Sequence, residues 1–353
     1  MTRHGDDEAR AAARAQKLDA AHTRLVDAVS ALTSGADWRR ALAFAARFRS
    51  RSFNNTLLIY VQHLEAYEQG RVPEPMPTYV AGFHQWQRLG RHVLKGRAGY
   101  TILAPVTARY ASADPSGDEW HRLPPRERPA PGEEVRSRMI GVRPAYVWDV
   151  SQTDGKPLPA PPAPQLLQGQ APDGLWDGLA AQVAARGFAL RAVPAASAIG
   201  GANGLTDYLA HTVTVRADMD DAARAKTLAH ELGHVILHGP DHDDARSHTG
   251  IAEVEAESLA LMIGVAHGLD TTDYTVPYVS SWAASVPGKD PVDVVASTAS
   301  RVRAAALSVL DQLDTTQIGT GEPPGLNTAL EPPRERPLTS RSRGADRAAT
   351  VTR

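Results

Sequence analysis

"HELGHVILHGPDHDD" occupies residues 230–244, and its reading decides how the rest of the chain is understood. An α-helix turns about 100° per residue, so residues four apart stand on one face, one turn apart. His230 and His234 therefore point the same way, as two ligands of one zinc ion require. Glu231 lies beside them, where a carboxylate can act on water as a general base. His238 follows on the same face one turn later and reads as a packing residue or an outer support, not a ligand. His242 and His248 read as surface or loop histidines, and Asp241, Asp243 and Asp244 as a solvated acidic loop.

A catalytic zinc takes a third protein ligand and keeps one position open. The next predicted helix, "TGIAEVEAESLALMIGVAHGL" (249–269), offers Glu253, Glu255 and Glu257. Glu253 and Glu257 share a face, whereas Glu255 lies about 200° round from Glu253. One of the pair can bind metal while the other, a turn away, orients a ligand histidine; Glu255 cannot join them. The alternating segment "HTVTV" (211–215) predicts a strand just before the histidine helix.

These residues carry a resemblance. "KTLAHELGHVILH" followed by "EVEAESLA" resembles the gluzincin metallopeptidases, in particular the ImmA/IrrE and ArdC-like groups. Their second helix reads Glu-x-x-Ala-(Asp/Asn/Glu), matched here by Glu253, Ala256 and Glu257, and the 19-residue step from His234 to Glu253 is close to their spacing. The resemblance implies a zincin-like domain with Zn2+ held by His230, His234 and Glu253, Glu231 as base, and Glu257 and His238 as outer supports. It also implies a protein or peptide substrate, because in zincins an edge strand before the helix pairs with the substrate; 211–215 stands in that place. Tyr208 and Tyr278 are candidates for stabilising the oxyanion of the tetrahedral intermediate.

Composition sets the wider frame. Of 353 residues 42% are hydrophobic, enough for real cores, and none is cysteine, which removes disulfides, thiolate metal sites and cysteine nucleophiles. The first twenty residues are charged throughout, with no apolar stretch that could serve as a signal peptide, and no run approaches the roughly 18 apolar residues of a membrane helix. A cytoplasmic protein with no membrane partner is expected.

Charge is unevenly spread. Residues 34–110 hold eleven Arg and Lys against four acids, a surplus of +7, whereas residues 201–285 hold thirteen acids against four bases, a surplus of −9. Residues 38–110 also interleave arginines with aromatics such as Trp38, Phe83 and Trp86. Cations neutralise phosphates and flat rings stack unpaired bases, so the mixture points to single-stranded nucleic acid. A small domain with an aromatic core and solvated arginines has the same composition.

The order of segments resembles the N-terminal single-stranded-DNA-binding domain of ArdC-type antirestriction proteins. The pattern is Asn-x-x-Leu in a helix, Trp/Phe-x-x-x-Gly, Lys-Gly-x-x-Gly, then a strand ending Asp/Asn-x-x-Gln-Thr. Here these are Asn54, Asn55, Leu58, Trp86, Gly90, Lys95, Gly96, Gly99, Asp149, Gln152 and Thr153. On this reading Arg88, Arg91, Lys95 and Arg97 contact phosphates and Trp86 belongs to the DNA surface.

The expected fold is α+β. An ArdC-like α/β domain spans 1–158, with a flexible insertion at about 111–138; a proline-rich linker follows at 159–172. A zincin-like metallopeptidase domain then spans 173–315, followed by a disordered tail at 316–353. The expected function is that of a single-stranded-DNA-binding zinc metallo-endopeptidase of a mobile element that protects incoming DNA. Two alternatives stay open: a regulatory ImmA/IrrE-like peptidase that cleaves a repressor, and a non-catalytic DNA-binding protein with structural zinc. The protein substrate and oligomeric state are not legible.

Overall fold

The computed structural model describes residues 3–32, 35–117, 119–158, 169–239, 249–271, 290–319 and 321–324. The chain opens with three helices, α1 (Arg3–Ser30), α2 (Gly35–Arg47) and α3 (Phe53–Glu68). In α2 the buried Trp38, Ala41, Leu42 and Ala45 recur at helical spacing. Strands β1 (Val80–Gly82), β2 (Arg91–Val93), β3 (Tyr100–Ser112), β4 (His121–Leu123), β5 (Glu134–Asp149) and β6 (Thr153–Gly155) follow, with the short helix α4 (Phe83–Arg88) after β1. They form a sheet of order β1-β5-β3-β4 and a separate β2-β6 pair.

Several residues quoted for the ArdC resemblance turn out to hold this framework together. The Asn55 amide accepts from the Leu103 N–H (2.8 Å) and donates to the Leu103 carbonyl (2.9 Å). Further along the helix, Gln62 does the same for Thr101 (2.9 and 3.0 Å). Two side chains of α3 thus stand in for a neighbouring strand and satisfy backbone groups of β3. Asp149, the buried last residue of β5, accepts from the Thr78 and Ser151 N–H groups (2.9 and 2.8 Å). Gln152 accepts from the Asp149 N–H and donates to the Ala98 carbonyl, both at 3.0 Å.

Residues 108–138 form a unit of their own. In this segment, where a flexible insertion is expected at about 111–138, lie the end of β3, β4 and the start of β5, with Arg109 opposite Leu123 and Ala111 opposite His121. Arg136 lies 4.4 Å over the Trp120 ring, and Arg138 lies 5.5 Å from Tyr110 and 5.8 Å from Trp120. Strands held by cation–aromatic contacts need few apolar residues, so their polar, proline-rich composition read as a loop.

The second half contains α5 (Leu175–Ala185), β7 (Ala189–Val193), β8 (Gly204–Asp207), β9 (Thr212–Arg216), α6 (Asp221–Leu237), α7 (Thr249–Ala266) and α8 (Pro291–Leu310). The sheet order is β7-β9-β8, with β7 parallel and β8 antiparallel to β9. The expected edge strand at 211–215 is therefore central; among the described residues β7 and β8 are the edges. Alternation marked β9 as a strand, but its place in the sheet is set by β7, some twenty residues away.

Helix α7 is buried on all sides from Val254 onward, with Val254, Ala256, Leu259, Leu261, Met262 and Ile263 all inside. Such a helix must lie at the centre of a core; α2, α6 and α8 pack against it. The Trp38 indole donates to the Ser258 hydroxyl at 2.8 Å. One core therefore combines helices from both ends of the sequence. The tail expected from 316 is packed further than composition implied: the Ile318 N–H donates to the Ala266 carbonyl (2.7 Å) and the Val80 N–H to the Gly321 carbonyl (2.9 Å). Backbone pairing of this kind needs no apolar side chains. Residues 325–353 lie outside the described residues, as does most of the expected linker (159–168).

The approach of α6 to α7 depends on Gly233. A Cβ there would stand 3.0 Å from Ala256 Cα and 3.3 Å from its carbonyl oxygen. Ala ordinarily stabilises a helix by about 1 kcal/mol over Gly. Here the obstacle is backbone in the most buried helix, which cannot give way. Gly233→Ala is therefore expected to destabilise the chain by roughly 1–3 kcal/mol, read as a lower melting temperature; an unchanged or raised one would show that the helices have slack.

Candidate metal centre

Helix α6 is capped at its start by Asp220, whose carboxylate accepts from the Ala223 N–H (2.8 Å), and at its end by His238. Its inward face carries His230 and His234, and α7 brings Glu253 opposite them. The two Nε2 atoms are 3.1 Å apart; Glu253 Oε2 lies 3.5 Å from that of His230 and Glu253 Oε1 3.5 Å from that of His234. Among the described residues this is the one group of three His, Cys, Asp or Glu that could hold a metal ion. The triangle has the size such an ion needs, because tetrahedral bonds of about 2.0–2.1 Å set the ligands about 3.3 Å apart. Two imidazoles and a carboxylate suit zinc and other first-row ions alike.

Each histidine is supported from behind. His230 Nδ1 meets a Glu257 oxygen at 3.1 Å, and the other oxygen of Glu257 pairs with Lys226 at 3.0 Å. Burial pulls the His230 imidazole down, but hydrogen bonds with Glu253 and Glu257 outweigh it and hold it at about 9. Burial, with the positive charge of His230 behind it, depresses His234 to about 4. His238, expected as packing or outer support, has Nδ1 3.1 Å from His234 Nδ1 and Nε2 2.9 Å from Glu255. Glu255, which the helical phase excluded, thus reaches the site through His238.

Glu231 is buried beneath β8 and accepts from the Thr206 hydroxyl at 2.7 Å. Burial raises its carboxyl above the usual range, against the Thr206 bond and His230. A Cβ on Gly204 would stand 2.5 Å from Glu231 Oε1, so β8 lies directly on this carboxylate. The Tyr208 hydroxyl donates to the His234 carbonyl at 2.8 Å, and burial, then the charges of Glu231 and Glu253, push it up to about 12. Tyr278, His242, His248, Asp241, Asp243 and Asp244 lie outside the described residues. A cleft of about 890 Å³ opens over the triangle, walled by Leu205, Thr206 and Tyr208 on one side and by Met219, Lys226 and Leu269 elsewhere.

The expected DNA-contacting residues separate into two kinds. Trp86 is fully buried and its indole donates to the Trp148 carbonyl at 3.0 Å. Arg91 is buried too, and its guanidinium donates to the Thr153 carbonyl and hydroxyl, both at 2.9 Å, clamping β2 to β6. Neither side chain has a face for a ligand, which corrects their assignment. Arg88, Lys95 and Arg97 are exposed. Three aromatics missed as a group lie nearby. Phe83 and Tyr146 are exposed, Trp148 is half-buried, and the Phe83 and Trp148 rings meet edge-to-face at 6.1 Å. The Trp148 indole donates to the Arg97 carbonyl (3.1 Å), and Lys17 stands 5.7 Å from the Tyr146 ring centre. Tyr146 and Trp148 are two apart in β5 and so share a face, the one signal that could have found them.

Family models match both halves. Residues 17–148 match the N-terminal domain of the anti-restriction factor ArdC, and residues 189–273 match the IrrE N-terminal-like domain. The chain joins an ArdC-type N-terminal segment to an IrrE-like segment. The triangle of candidate metal donors falls inside the IrrE-like segment, and the exposed aromatics inside the ArdC segment. Similar solved structures include the antirestriction protein ArdC of plasmid R388 in metal-free form, at 20% identity over 74% of this chain and 84% of that one, with a TM-score of 0.46. The Mn(II)-bound form of that protein aligns at 18% identity over 74% and 88%, with a TM-score of 0.42. No curated protein matches the chain. Among the described residues no helix is long and apolar enough to cross a membrane.

Proposed function

We propose that this ArdC-like chain is a zinc-dependent endopeptidase joined to a single-stranded-DNA-binding surface, working in the cytoplasm to protect incoming DNA of a mobile element. The observation that carries the enzymatic half is the donor triangle of His230, His234 and Glu253 with the carboxylate of Glu231 beside it, open to a cleft. A bound zinc ion supplies a Lewis acid that polarises water and carbonyl oxygen. Glu231 takes the proton from the attacking water and returns it to the leaving amine. Strand β8 pairs only with β9 among the described residues, so its outer edge can take an extended peptide beside Glu231. Tyr208, with its hydroxyl committed to the His234 carbonyl, stiffens the end of α6 and turns to an oxyanion only if that bond breaks.

The DNA-binding half rests on Phe83, Tyr146 and Trp148 set among Arg88, Lys95 and Arg97: rings for stacking unpaired bases, cations for phosphates. The IrrE-like match favours one second reading, a regulatory peptidase that cleaves a repressor. The full chain carrying Glu231→Gln, used as bait, separates the two by what it retains. Recovery of a restriction enzyme or DNA-processing protein supports the first reading, and recovery of a repressor that the wild type cleaves supports the second.

The metal assignment makes its own prediction. His230→Ala and Glu253→Ala are expected to lose zinc, and Glu257→Gln to bind it about 10–100-fold more weakly, because an orienting hydrogen bond is weakened while the ligands stay. Chelator competition measures all three; full zinc in Glu253→Ala would remove Glu253 from the ligand set.

A further inference from the structure

We propose that Glu255 and Arg301 position His234 through His238, a chain of hydrogen bonds, buried at His238 and Glu255, that fixes which nitrogen of His234 faces the metal. The proposal rests on the metal reading above. His234 Nε2 belongs to the donor triangle, so it must present its lone pair there, and the ring proton stands on Nδ1. That Nδ1–H meets His238 Nδ1 at 3.1 Å, which must therefore be the accepting nitrogen. The proton of His238 is then on Nε2 and is donated to Glu255 at 2.9 Å. The second oxygen of Glu255 is held by the Arg301 guanidinium of α8. From His234 to Glu255 every hydrogen has one place, and reversing the two bonds at His238 would turn a proton toward the metal.

Burial explains why the chain is complete. Glu255 is 1% exposed and His238 7% exposed. A carboxylate that deep persists only when paired and hydrogen-bonded. The neighbouring ligand follows the same logic with a shorter arm: His230 to Glu257 to Lys226. Each ligand histidine is thus tied to a carboxylate, and each carboxylate to a cation. Arg301 lies beyond the IrrE-like match at 189–273, so this arm is contributed by a helix outside that segment.

The test uses the full chain with Zn(II) and Co(II) in chelator competition, the metal-free melting temperature, and the visible spectrum of the Co(II) form. Glu255→Gln and His238→Phe should each weaken metal binding about 10–100-fold and shift the Co(II) bands as the His234 ring reorients. The double variant should bind no more weakly than His238→Phe alone, because Glu255 acts through that ring. Arg301→Met should show a smaller loss, and Arg301→Lys should restore most of it. Wild-type affinity and spectrum in Glu255→Gln and His238→Phe, with only a lowered metal-free melting temperature, would reduce these residues to packing and overturn the proposal. Additive losses would overturn it too. Should His238→Phe not fold, Glu255→Gln and Arg301→Met decide, since the half-exposed Arg301 can turn to water. A wild type that binds neither metal overturns the metal reading itself, whereas metal binding indifferent to these variants overturns only the relay.

Discussion

Glu231→Gln is expected to retain zinc and fold while hydrolysing its protein substrate at between about one hundredth and one ten-thousandth of the wild-type rate, the usual contribution of a general base. Retention follows from the local contacts. Glu231 is no member of the donor triangle, and its carboxylate is turned to the Thr206 hydroxyl at 2.7 Å. Glutamine has the same volume and still accepts that bond, so it fits under β8 where Gly204 leaves room for nothing larger. What it lacks is the capacity to take a proton. The measurement is cleavage of a partner captured by the variant, together with metal content of both proteins. Wild-type cleavage by Glu231→Gln would end its assignment as base. Captured partners that the wild type never cleaves would leave a binding protein with a structural metal.

The difference between Glu231 and Glu255 shows where sequence reading ends. Helical phase is a property of one element: it put His230 and His234 on one face and Glu253 with Glu257 on another, and the donor triangle has that arrangement. Phase says nothing of what a second helix places behind that face. Glu255 points away from Glu253, but the His238 ring at the end of α6 spans the gap to it. Strand position has the same limit, since β9 is central only because β7 pairs with it in parallel. Composition fails differently. Arginine and tryptophan attract the same inference whether they face solvent or hold a turn, and Arg91 with Trp86 does the latter. The shared core, with Trp38 donating to Ser258 across 220 residues of sequence, is likewise invisible to segment-by-segment reading.

That sorting of the N-terminal residues yields the other large effect. Phe83→Ala and Trp148→Ala are each expected to weaken binding of a single-stranded oligonucleotide by about 1–3 kcal/mol, the value of one stacked base. Together they should lower affinity by roughly 30-fold or more. Phe83 is the cleaner probe, because it is exposed and its removal leaves no buried group unpaired. Charge reversal at Lys95 and Arg97 acts on another quantity. Each phosphate contact to a single strand contributes about 0.7 to the slope of log affinity against log salt, so losing two should flatten it by about 1.4. Trp86→Phe and Arg91→Gln serve as internal contrasts. Both touch the interior, where Trp86 donates to the Trp148 carbonyl and Arg91 to Thr153. They should lower the melting temperature and leave affinity and salt slope unchanged. The full chain is required, because its N-terminal helices share their core with α7. Fluorescence anisotropy at two salt concentrations reads both quantities. If Phe83→Ala binds like the wild type while a folded Trp86→Phe does not, the exposed aromatic row is no stacking surface and the DNA reading of this face fails.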